Sequence, residues 1–193
     1  MDLISEKSRL ILEHDQYFAF LLAGKVLEKP KVDIWMILLP ILFVYYMNNF
    51  QKFKDGRKTF AAHYMVTRKR ALEEAVALAH SGNAADPDDL AKESGIPAEA
   101  QNKLAELFAV LIGHYEILLK ATGRDFDSLV RSAYKNLTNY LLFINRINNA
   151  EKELNMALEP QLATVSAGVN DIISAMEKHT DQIRLKEAHD IFS

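Results

Sequence analysis

The sequence predicts an all-α protein, an antiparallel bundle of about six to seven helices with long heptad-patterned helices at its C-terminal end. Three observations predict it. Apolar residues recur at helical spacing along nearly the whole chain, and alternation with a period of two is almost absent. With 7 Gly and 5 Pro in 193 residues, the few breakers fall where helices should stop.

The first helix is expected from about Ser5, a fitting N-cap, to Glu28, ahead of Pro30. A second segment follows Asp33 and ends near Asp55-Gly56, and a third runs from about Thr59 to His80. Asp86-Pro87 reads as an N-cap with proline at the first helical position, opening a short helix that Ser94-Gly95 closes. Pro97 opens the next, lasting to Thr122-Gly123. One long helix is expected from about Asp125 to Leu158, with Pro160 as the corner into a last helix reaching His189 or beyond.

Phe126, Val130, Ala133, Leu137, Tyr140, Ile144, Ile147, Glu151, Leu154 and Leu158 step by alternating fours and threes. That is a heptad seam with one polar member, Glu151, which should lie near an end or face a cation. Residues 97–193 therefore read as a three-helix antiparallel unit, and 83–96 as an acidic linker with a short helix. Residues 1–82 form an N-terminal helical part, all within one continuous domain.

Composition excludes several classes. At 49% hydrophobic and 25% charged the chain is not intrinsically disordered. The absence of cysteine removes disulfides, thiol catalysis and thiolate-held metals. Residues 1–80 carry 12 Lys/Arg against 9 Asp/Glu, and residues 81–193 carry 11 against 17, so no single-sign field points to nucleic acid. The opening MDLISEKSRL lacks the pattern of a secretory signal, and a cytoplasmic location is expected, with the inner face of a membrane as the alternative.

Residues 34–47, IWMILLPILFVYYM, contain no polar side chain. Fourteen residues of helix span only about 21 Å, short of a ~30 Å hydrocarbon core. The first expectation is a central buried helix, apolar on all sides because it is covered on all sides. The second follows from Phe50–Arg70, which holds seven basic residues against Asp55. An apolar wedge beside cations suits insertion into one leaflet of an anionic membrane. Its surface would comprise Trp35, Leu39, Phe43, Lys52, Lys54, Arg57, Lys58, Arg68, Lys69 and Arg70.

Three histidines fall on apolar stripes: His14 with Leu10, Tyr17 and Leu21, His114 with Leu107, Leu111 and Leu118, and His179 with Met176 and Ile183. They are the only candidate metal or haem ligands, and weak ones. None has a carboxylate three or four positions away in a bundle-type motif, and Glu13, Glu116 and Glu177 point to other faces. No cofactor is expected. No G-x-S-x-G elbow or glycine-rich phosphate loop occurs. Residues 88–104 have a helix-turn-helix outline, but the second helix opens Pro97-Ala98-Glu99-Ala100-Gln101-Asn102-Lys103, too poor in cations to read DNA. The sequence therefore predicts a non-enzymatic helical protein acting through a protein partner or self-association. A peripheral membrane binder is the alternative, and a bundle with a metal, haem or apolar-ligand pocket the second.

Overall fold

Seven α-helices and no strand occur among the residues that the computed structural model describes, which are 3–27, 56–162 and 169–193. They are α1 (Leu3–Leu27), α2 (Gly56–Ser81), α3 (Pro87–Glu93), α4 (Ala98–Lys120), α5 (Phe126–Tyr134), α6 (Leu137–Leu162) and α7 (Val169–Phe192). The segment expected between Asp33 and Asp55, with its apolar run 34–47, lies outside the described residues.

Local chemistry explains the starts. The Asp86 carboxylate accepts from the Asp88 N–H at 2.9 Å, and Pro87 follows it. Asp125 and Ser128 form a reciprocal capping box, the Ser128 N–H donating to the Asp125 carboxylate at 2.7 Å.

α1 already includes Leu3, so Ser5 is not its N-cap, and α2 begins at Gly56 instead of about Thr59. Two boundaries in the C-terminal half differ from the sequence expectation as well. The long helix expected over 125–158 is two helices, broken where Lys135 takes a left-handed φ of 70°. Asn136 supplies the reason. Its side chain accepts from the Asn139 N–H at 2.9 Å and so caps a new helix. The seam reads through the break because Ala133, Leu137 and Tyr140 keep their spacing, which hides the interruption from periodicity. Pro160 lies inside α6 instead of at the corner. So near the helix end its missing N–H removes one ladder bond, and the turn continues to Leu162.

α6 packs against α4 and α7, and α1 against α2 and α7. Leu104, Leu111, Tyr115, Leu118, Leu129, Ile144, Ile147 and Leu158 are fully buried in a core that Ile11 of α1 also enters. Ile144→Ala is expected to lower stability by about 2–5 kcal/mol in chemical denaturation, as truncations of fully buried isoleucines do.

α1 runs antiparallel to α2 and α7. Phe18 stacks on Tyr64, Leu22 clusters with Phe60, and His14 meets Glu187 while Phe18 meets Arg184. α6 and α7 are antiparallel too, with Asn148 on Asp181 and Asn155 on Glu177. The C-terminus of α1, the N-terminus of α2, the C-terminus of α6 and the N-terminus of α7 therefore share one end of the bundle.

Candidate functional site

The polar groups of α1, α2, α4, α6 and α7 meet inside the bundle. Glu151, the polar member of the seam, lies between two guanidinium groups. Arg184 donates to both its oxygens at 2.8 Å, and Arg68 donates to Oε1 at 2.9 Å. Arg68 also donates to the Tyr64 hydroxyl at 2.9 Å and lies 3.7 Å from Asp15. Tyr115 donates to Asp15 at 2.5 Å. His14 contacts Glu187 through Nε2, lies 3.6 Å from Asp15 through Nδ1 and stacks flat on Phe126.

Three carboxylates thus face Arg68, Arg184 and His14, a neutral set when His14 is protonated. Burial works against the charged imidazolium, but Asp15 and Glu187 outweigh it and raise the His14 pKa to about 9. Burial alone would push the Glu151 carboxyl up; Arg184 and Arg68 reverse that and hold it below the ordinary range. Asp15 behaves the same way, with Arg68 as the main opposing charge. The opposed charges come from α1, α2, α6 and α7, so the arrangement fastens these helices together.

His114 is buried and neutral. Its Nδ1 is 2.7 Å from the Tyr134 hydroxyl, its ring stacks on Phe143, and desolvation lowers its pKa to about 3. His179 is half-buried on α7 and forms no part of the charge lattice. The three candidate ligands are therefore not brought together. Among the described residues no group of three or more His, Asp or Glu side chains could hold a metal ion.

The expectation for His14 needs correction on two counts. Its carboxylate partner exists, but 173 positions away on α7, where a search among sequence neighbours could not find it. The stripe assigned to it is not the buried one either. The inward face of α1 is Ile11, Asp15, Phe18, Ala19 and Leu22, whereas Tyr17 and Leu21 are 64% and 40% exposed. Beyond Gln16 the helix reads YFAFLLAG, apolar on every side, so periodicity offered two faces and the sequence reading took the outer one.

The basic segment also divides. Arg68 is only 7% exposed and belongs to the lattice, not to a surface. It follows Phe60 and Tyr64 at intervals of four, so it shares their inward face, a phase that counting charges ignores. Arg70 is at the surface, held by Glu74 at 3.3 Å and Glu93 at 3.6 Å. Arg57, Lys58 and Lys69 are exposed. Trp35, Leu39, Phe43, Lys52 and Lys54 lie outside the described residues.

What stands out on the surface is the last third of α1. On its outer side the exposed residues change from Glu6, Arg9 and Glu13 to Tyr17, Phe20 and Leu21, the second of these 47% exposed. Gly24 continues that side, and a Cβ there would meet nothing within 4 Å. A pocket of about 300 Å³ between α2, α3 and α4 is lined by Val66, Thr67, Leu90 and Phe108, and the Arg70 at its edge is already engaged by glutamates. No described helix is long and apolar enough to cross a membrane. Compared with protein-family models, curated proteins and solved structures, the chain matches none.

Proposed function

We propose that the protein is non-enzymatic and acts by binding, through the outer side of α1 at the end where α1 terminates and α2 begins. One observation carries the reading: Tyr17, Phe20 and Leu21 form an exposed apolar patch on a helix whose earlier turns are solvated by charge. Soluble surfaces carry scattered apolar residues without consequence, but neighbours at i, i+3 and i+4 beside Gly24 form a face that another surface can cover. The acid and base groups support it indirectly, because they are spent on one another inside the bundle. A cytoplasmic protein that attaches to a larger partner or surface fits this distribution.

The absence of cysteine permits a direct test. Phe20→Cys, carrying a solvatochromic dye, should show blue-shifted emission once a second copy, a partner protein or a lipid surface covers the patch. The dye at position 20 should respond while one attached through Lys186→Cys, on the exposed side of α7, does not. Water-like emission at position 20 under all three conditions would contradict the reading.

A further inference from the structure

The geometry points to a second binding site, apart from the α1 face: the pocket between α2, α3 and α4 takes a small organic ammonium ion with an apolar tail. Its volume of about 300 Å³ is at the lower end for small-molecule sites. Sequence spacing builds its walls. Val66, Thr67 and Arg70 lie within about one turn of α2, and Leu90, Glu93 and Ser94 within about one turn at the end of α3. Leu90 and Phe108 are buried and belong to the main core, whereas Arg70 and Glu93 are exposed. The pocket is therefore apolar in its depth and charged at its mouth, the pattern that an amphiphilic ligand matches.

The charges at the mouth set the sign of the ligand. Arg70 faces three carboxylates, Glu74 at 3.3 Å, Glu93 at 3.6 Å and Glu73 at 3.9 Å. One guanidinium balances one of them. Glu74 is the most buried of the three and also accepts from the Ala85 N–H at 2.9 Å, so it is the one fixed beside Arg70. Glu93 lines the pocket, its side chain is 69% exposed, and its pairing with Arg70 is worth little in water, so it can turn to a second cation. An anion would meet these carboxylates first.

Two hydroxyls stand in the walls. That of Ser94 donates to the Ala91 carbonyl at 2.5 Å and accepts from the Ile96 N–H at 3.4 Å, so it is committed to ending α3. Thr67 is only 8% exposed, and its hydroxyl has no hydrogen-bond partner among the described residues. Polar groups buried to that degree are normally bonded. An ammonium group between Thr67 and Glu93 donates to both, while its tail covers Val66, Leu90 and Phe108.

The test is a titration of the full chain with 2-phenylethylammonium at neutral pH and low salt, followed by two-dimensional NMR. Saturable shifts should appear at Val66, Thr67, Leu90 and Glu93, with a dissociation constant of about 1 mM or tighter. The neutral 2-phenylethanol should bind about tenfold more weakly, and the anionic 3-phenylpropionate more weakly still. Glu93→Gln should weaken the ammonium about tenfold and leave the unfolding midpoint unchanged, because the side chain is exposed. Arg70→Gln should tighten it several-fold by removing the competing cation. Thr67→Val keeps the shape, removes the hydroxyl and should cost about fivefold. Val66→Phe, at a position 36% exposed, should fill the pocket and abolish the shifts without unfolding the protein. Absence of saturable shifts at these residues, or their survival in Val66→Phe, overturns the site. Binding of 3-phenylpropionate as tight as that of the ammonium, or weakening by Arg70→Gln, overturns the class of ligand. Affinity untouched by both Glu93→Gln and Thr67→Val overturns the assigned contacts.

Discussion

Glu151→Ala is expected to cost about 3–5 kcal/mol of unfolding free energy, read from the denaturant midpoint. The loss comes from what the substitution leaves behind. Arg68 and Arg184, both buried, would face each other with no carboxylate between them. Glu151→Gln keeps the shape and removes only the charge, so it should approach the same loss. Replacing Glu151 and Arg184 together, with Glu151→Leu and Arg184→Met, should recover part of it, because that pair of charges disappears while Arg68 stays opposite Asp15. A single substitution that costs less than 1 kcal/mol would mean that water reaches the guanidinium groups and the lattice is not buried.

The second large effect is a stability maximum near neutral pH with losses on both sides. Unfolded, His14 titrates near 6.5; folded, it is held at about 9. Its contribution is complete below pH 6.5 and is lost as pH rises through 9, on the order of 3 kcal/mol in all. His114 works in the opposite direction. Folded, it stays neutral down to about pH 3, so its contribution is complete above 6.5 and is lost as pH falls from there. Asp15 and Glu151, both lowered, add to the acid limb once pH drops below the ordinary carboxylate range. Urea titrations across pH should show this profile. His14→Gln should flatten the alkaline limb, since the variant has no proton to lose there. An alkaline limb unchanged by that substitution would exclude His14 as its source.

Much of the bundle was legible because its information is local. Breakers, caps and spacing place α3 and α4 almost to the residue, and the polar member of the seam does face cations, as an isolated Glu151 in an apolar stripe demands. What escaped depends on groups far apart in sequence or on competition between equal signals. The partner of His14 comes from the last helix. The break at Lys135 follows from one asparagine cap that leaves the apolar spacing intact. In α1, YFAFLLAG offers no polar residue to mark the outer face, so periodicity cannot choose between two sides. That ambiguity concealed the candidate site.

The most direct measurement of the central claim is hydroxyl-radical footprinting of the protein inside intact cells against the purified protein in buffer. Tyr17, Phe20 and Leu21 should be oxidised readily in buffer and protected in cells. Leu142 and Met156, exposed apolar residues on α6 at 63% and 55%, should react equally in both and serve as internal controls. Protection confined to the end of α1 is the result expected if that face binds a partner surface. Equal oxidation of Tyr17, Phe20 and Leu21 in cells and in buffer would contradict it.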